Sequence, residues 1–154
     1  MADQLPKTGW SREELQEQLH KLTANDTEWR DGKLFGYVYY PGDKYYKLIK
    51  EVYAEFSATN ALNPAVFPSL QQMENEVIGI ASSLLHGDAS TEGCLTSGGT
   101  ESLFMAVKSA KVWGRKNNKK KPFEILLPET AHPALSKAAD IMDIQVVPVR
   151  VDEN

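Results

Sequence analysis

Gly-Cys-Leu-Thr-Ser-Gly-Gly-Thr-Glu-Ser, residues 93–102, is the stretch on which the reading of the fold turns. A short apolar run, Cys94–Thr96, leads into Ser97-Gly98-Gly99-Thr100, and a helical pattern over Glu101–Trp113 follows at once. The first turn of a helix leaves its backbone N–H groups without intrahelical acceptors and carries the positive end of the helix dipole. Two glycines let an anion come close to that backbone, and Ser97 and Thr100 add hydroxyl donors, so the stretch has the makings of a phosphate seat. It has neither the Gly-Lys-Ser/Thr of a Walker A loop nor the G-x-G-x-x-G spacing of dinucleotide-binding turns. On these residues alone, a strand-to-helix turn capped by Ser or Thr accounts for the pattern equally well.

Downstream, apolar stretches at Phe123–Leu127 and Ile144–Val149 alternate with a helical pattern over Ala131–Met142. With Cys94–Thr96 and the helix after it, this is a β-α-β-α-β rhythm, the signature of parallel strands joined by crossover helices. Pro128-Glu129-Thr130-Ala131-His132 lies between a predicted strand and a predicted helix. Ligands of open parallel sheets bind at the carboxyl ends of strands. His132 and the Ser97–Thr100 turn are therefore expected on one edge, facing one ligand; the plainer reading of His132 is an exposed first-turn residue. His20, in an amphipathic helix, and His86, at a helix end, carry only that plainer reading.

Upstream the pattern is helical. Ser11 and Glu14 form a capping box ahead of a stripe at Leu15, Leu19 and Leu22. Residues 25–42 hold Gly32, Gly36, Pro41 and Gly42 and predict irregular structure. A second helix is predicted from Asp43 to about Ser57, with Tyr45, Ile49, Val52, Tyr53 and Phe56 at the spacing of a buried stripe. After the loop NALNPAVFPS, Ser69 and Gln72 suggest another capping box, and Leu70, Met73, Val77, Ile80 and Leu84 mark a helix ending near His86–Gly87. All six tyrosines fall between Tyr37 and Tyr53; Tyr45, Tyr46 and Tyr53 read as packing residues.

The net charge of −4 gives no reason to expect nucleic acid as a partner. The one basic run, Arg115 to Lys121, is interrupted by Asn117 and Asn118 and reads as a solvated loop. The single Cys94 excludes an internal disulfide and a cysteine-based zinc cluster, and no metal site is expected. No stretch approaches the ~20 apolar residues that span a bilayer, and the N-terminus lacks the layout of a signal peptide. A soluble, cytoplasmic protein is the expectation.

TSGGTES, followed by a strand and AHPALSKAA, resembles the pyridoxal-phosphate (PLP)-dependent fold-type-I enzymes of the group II decarboxylase superfamily. The upstream segments GKLFGYVYY and FSATNALNPAVFPSLQQMENEVIGIASSLLHG extend the resemblance over roughly residues 28–150, and NALNPAVFPSLQQME with the His132–Ala139 helix favours its sphingosine-1-phosphate lyase branch. The resemblance implies an α/β fold: a helical N-terminal segment, then the start of a mixed, mostly parallel sheet. Residues 1–90 would be the helical segment with dimer and substrate loops, and 91–154 the first, incomplete part of the PLP-binding large domain.

It further implies that Ser97, Gly98, Gly99 and Thr100 hold the PLP phosphate. His132 would stack on the pyridine ring and share the catalytic role with Tyr39. Asn60 would contact cofactor and substrate, and Tyr39, Tyr40 and Asn63 would line the substrate site. The family commonly has histidine where Tyr40 and Asn63 stand.

The lysine that bonds the cofactor and the acid opposite the pyridine nitrogen lie further along the family's chains than the counterpart of Asn154. The only His-Lys pair, His20–Lys21, lacks the family's surroundings and reads as a decoy. The strands that would separate Cys94–Thr96 from the two later strands also lie further along, so the expectation is an N-terminal piece of a longer enzyme. That enzyme would be a homodimeric PLP-dependent carbon–carbon lyase, cleaving a phosphorylated long-chain amino alcohol to an aldehyde and phosphoethanolamine. The alternatives are an amino-acid decarboxylase on the same cofactor seat and a non-catalytic folding or dimerisation unit. The apolar groups in residues 28–42 and 58–68, Phe35 and Phe67 among them, are expected against a second protomer or further chain, with packing on their own helices as the competing view.

Overall fold

Ser11 caps the first helix as its sequence predicts. Its hydroxyl accepts from the Glu14 N–H at 3.2 Å, while the Glu14 carboxylate accepts from the Ser11 N–H at 2.7 Å, and helix α1 runs over Arg12–Thr23. The bond to the Ser11 backbone N–H holds the Glu14 carboxyl below its ordinary range. A computed structural model describes residues 7–117 and 122–152. It divides into two units, Met1–Thr59 and Asn60–Asn154.

In the first unit α1 is followed by a 3-10 turn at Trp29–Asp31, closed by Gly32 in the left-handed region, and by helix α2 over Asp43–Glu55. Helix α2 ends two residues before the predicted end near Ser57. Phe56 ends the helix, and the Ser57 hydroxyl turns back to donate to the Ala54 carbonyl at 2.9 Å. The expected burial of the α2 stripe is also corrected. Tyr45, Ile49, Val52 and Tyr53 are exposed, because among the described residues of this unit no second layer packs against the helix.

The second unit opens with the loop at 60–67 and helix α3 over Pro68–Leu84. The capping box expected of Ser69 and Gln72 is absent. Pro68 takes the first helical position, which suits a residue with fixed φ and no N–H, and the Gln72 amide donates to Glu76 at 2.8 Å instead. Helix α4 over Gly99–Lys116, strand β1 over Glu124–Pro128, helix α5 over Pro133–Ile141 and strand β2 over Gln145–Val149 complete the unit. Of the basic run, residues 118–121 lie outside the described residues.

β1 and β2 pair in parallel, with Leu126 opposite Val147, and α5 is the crossover between them. The expected strand at Cys94–Thr96 does not form, because no neighbouring strand is available to complete a ladder among the described residues. The buried apolar core is small. Val107 of α4, Leu127 of β1, and Ala134, Ala138 and Ala139 of α5 form it, with both Ala138 and Ala139 fully buried. Alanines let α5 lie close to its neighbours, and α4 and α5 pack together. Gly114 is needed for a similar reason: a Cβ there would stand 2.8 Å from the Phe123 ring. No helix among the described residues is long and apolar enough to cross a membrane.

Candidate functional site

Helix α4 reaches the start of β1 at its carboxyl end, where Gly114 meets the Phe123 ring. Its 18 residues extend ~27 Å, so its first turn lies toward the opposite, carboxyl edge of the strands. Helix α5 leaves β1 at that edge and returns alongside. The Lys111 ammonium donates to the carbonyl of Met142, the residue closing α5. Stepping back the nine residues of α5 at ~1.5 Å each brings its N-terminus alongside the early turns of α4. The first turns of both helices therefore fall toward the same end of the unit.

At the head of α4, Gly98 is the cap residue with extended backbone (φ 162°, ψ 176°), and no side chain caps the helix. Neighbouring polar groups bond within the turn instead. Thr96 Oγ1 donates to the Gly98 carbonyl at 3.1 Å and lies 2.6 Å from the Ser102 hydroxyl. The Ser97 N–H donates to the Glu101 carboxylate at 2.7 Å. These bonds stiffen the turn and leave the first amides of α4 to an external acceptor. A Cβ added at Gly98 or Gly99 would meet nothing within 4 Å, so an anion can approach the backbone unobstructed. An uncapped helix start, two open glycines and an adjacent threonine suit a phosphate group.

Two contributors escaped sequence reading. Glu74 of α3 accepts from the Leu95 N–H at 2.8 Å and ties the approach to the turn from 21 residues away; separation of that size leaves no local pattern. Glu101 lies within the quoted motif, and its spacing to Ser97 was the available signal.

The bond from the Ser97 backbone holds the Glu101 carboxyl below the ordinary range. A depressed folded pKa contributes stability to the turn that is present above the ordinary carboxylate range and is lost as pH falls through the depressed value. The amide resonance of Ser97 should therefore be constant at neutral pH and move only under acid conditions below the ordinary glutamate range. In Glu101→Gln that acid transition should vanish; its persistence would assign it to another carboxylate.

His132 is the cap of α5. Its Nδ1 accepts from the Ala134 N–H at 3.1 Å, the first amide available after Pro133. A neutral imidazole accepting at Nδ1 carries its proton on Nε2, so the ring is oriented by the helix while the Nε2–H is directed elsewhere. His132→Ala, which removes the acceptor and leaves the core alanines untouched, should accelerate exchange of the Ala134 amide while the rest of α5 keeps its protection. Unchanged exchange at Ala134 would show that the ring does not cap the helix.

Asn60 and Asn63 shape the loop ahead of α3. Their side-chain oxygens accept from the Leu62 N–H at 3.1 Å and the Ala65 N–H at 3.0 Å, as in Asx turns. Each keeps its two amide protons for other partners. Tyr39 and Tyr40 belong to the first unit; Tyr39 is almost fully exposed, and the Tyr40 hydroxyl donates to Asp43.

No protein-family model matches the chain. It is 37% identical over 150 residues to sphingosine-1-phosphate lyase 1 of Mus musculus, covering 97% of this chain and 26% of that protein. With the sphingosine-1-phosphate lyase of Dictyostelium discoideum it shares 40% identity over 149 residues, 96% of this chain and 28% of the relative. The chain thus spans about a quarter of the length of these curated relatives. The solved structure of a Burkholderia pseudomallei sphingosine-1-phosphate lyase superposes with a TM-score of 0.87 at 30% identity, over 99% of this chain and 37% of that one. Glutamate decarboxylase of Lactobacillus brevis superposes at 0.78 with 17% identity, over 99% and 36% of the two chains, a likeness of fold. The helices and short parallel sheet are the N-terminal part of the α/β fold of these enzymes.

Proposed function

We propose that this chain, which corresponds in sequence and fold to the N-terminal portion of the sphingosine-1-phosphate lyases within the group II PLP-dependent decarboxylase superfamily, supplies the cofactor-phosphate seat of such a lyase. The sphingosine-1-phosphate lyases and glutamate decarboxylase are PLP-dependent enzymes. The observation that carries the reading is the uncapped start of α4, with open space beside Gly98 and Gly99. Bound PLP supplies an electron sink for breaking a bond next to the substrate's amine-bearing carbon.

The chain's own residues bind and orient. The amides at Gly99 and Thr100 and the Thr100 hydroxyl hold the phosphate, and the Ser97–Glu101 and Leu95–Glu74 bonds keep that turn in shape. His132, whose Nδ1 accepts from the Ala134 N–H, would pack against the pyridine ring. Asn60 contributes amide protons toward cofactor and substrate, and Tyr39, Tyr40 and Asn63 bound the substrate. The substrate is a phosphorylated long-chain amino alcohol, cleaved to an aldehyde and phosphoethanolamine by a cytoplasmic homodimer, and none of the lysines in these 154 residues is assigned the bond to the cofactor.

Two assays test this. The chain of residues 1–154 should develop no dialysis-stable, lysine-dependent absorbance band with PLP. A band lost on substituting Lys21 or Lys137 would contradict the assignment of the lysine elsewhere. The lysine-bearing enzyme that contains this chain should release a long-chain aldehyde from the phosphorylated amino alcohol. Release of carbon dioxide from an amino acid, with no aldehyde, would replace the lyase reading with the decarboxylase one.

A further inference from the structure

The first unit contains a cluster that the cofactor seat does not use. The rings of Trp29, Tyr40 and Tyr46 meet edge to face, with centroids 5.2 Å apart for Trp29–Tyr40, 5.9 Å for Trp29–Tyr46 and 5.8 Å for Tyr40–Tyr46. The Arg30 guanidinium lies against all three, 4.7 Å from the Trp29 ring centre, 5.4 Å from Tyr46 and 5.9 Å from Tyr40. Edge-to-face rings and a cation over their faces attract each other beyond simple burial. The Tyr40 hydroxyl donates to Asp43 at the start of α2, and that bond raises the phenol's pKa above its ordinary value. The cluster thus joins the 3-10 turn, the loop before α2 and α2 itself.

That loop bears the marks of a held segment. Gly36 and Gly42, near its ends, have φ of +95° and +93°, and Tyr37 adopts +63°, a value disfavoured for any residue with a side chain. Such a conformation persists where its surroundings over-determine it. Tyr40 is half-buried in the cluster, whereas its neighbour Tyr39 is 91% exposed.

We propose that Trp29, Arg30, Tyr40 and Tyr46 form an aromatic clamp that fixes the loop over residues 36–42 and so aims Tyr39 outward, with Arg30 and Tyr46 as positioning residues. The proposal rests on the assignment of Tyr39 to the substrate site. It gives Tyr40 a second task, that of anchor, through a hydroxyl already bonded to Asp43.

Hydrogen–deuterium exchange of the full chain tests the clamp without reference to activity. Tyr46→Leu and Arg30→Gln should accelerate exchange at the amides of Val38 and Tyr39 severalfold while those of α2 keep their protection. Tyr46→Phe, which preserves the ring, should exchange as the parent does. Unchanged exchange in both disruptive variants would overturn the clamp, as would equal acceleration in Tyr46→Phe. If Tyr46→Leu also exposes α2, Arg30→Gln, which leaves every ring in place, decides.

A turnover arm in the lysine-bearing enzyme separates the clamp from the role of Tyr39. Tyr46→Leu should lower kcat in the parent and add no further loss to Tyr39→Phe, and Tyr46→Phe should restore it. Additive losses would overturn the positioning role. A Tyr39→Phe enzyme with parental turnover would remove Tyr39 from the site, and with it the aiming function, while the exchange experiment still decides whether the clamp holds the loop.

Discussion

Gly99→Val is expected to weaken binding of a PLP-type phosphate by about 10–100-fold, the loss of one hydrogen bond to a charged group at ~1.5–3 kcal/mol. The Cβ of a helical residue tilts toward the helix N-terminus, so a branched side chain in the first turn of α4 would stand where the anion approaches the amides. Folding should be little affected. Gly99 is the first residue of the helix, its φ lies outside the left-handed region, and an added Cβ meets no atom within 4 Å. Titration with pyridoxamine 5′-phosphate, which bears no aldehyde to react with surface lysines, measures the affinity, and far-ultraviolet circular dichroism checks the helices. Parental affinity in a folded Gly99→Val chain would place the anion elsewhere.

The second large effect is expected at Leu127. It lies buried in β1, in a core whose other buried members are Val107 and three alanines of α5. Leu127→Ala truncates the one buried side chain of the strand, and truncations of buried leucine cost ~2–5 kcal/mol. Leu126, its neighbour on the opposite face, is 68% exposed, and Leu126→Ala should change stability by no more than ~0.5 kcal/mol. Urea unfolding followed by circular dichroism compares the two. Equal losses would mean that the face of β1 carrying Leu126 is covered in solution.

Local signals in the sequence foretold local structure. The Ser11–Glu14 reciprocal bonds, the helices after Asp43 and Thr100, the crossover through α5 and the parallel pairing of β1 with β2 all rest on contacts or periodicities within a few tens of residues. The Ser69–Gln72 spacing misled because the helix begins at Pro68, two positions before the start that a Ser69 cap requires, and leaves no cap for Ser69 to make. Cys94–Thr96 has the composition of a strand, but a strand exists only with a partner, and partners are not encoded in the run itself. The α2 stripe has the period of a buried face, and periodicity likewise names no partner. At the site, the Gly-Gly turn and His132 were legible as residue types. The capping role of His132 Nδ1 and the tie from Glu74 depend on distances that only the folded chain fixes.

If the head of α4 is a phosphate seat beside His132, an amide-resolved NMR titration of the 154-residue chain with pyridoxamine 5′-phosphate will report it at both places. Saturable shifts are expected at the amides of Gly98, Gly99 and Thr100 and in the His132 ring, with inorganic phosphate reproducing the former and leaving the His132 ring unmoved. Shifts confined to the basic stretch around Arg115 and Lys116, with the Gly99 and Thr100 amides unmoved at saturation, would contradict it.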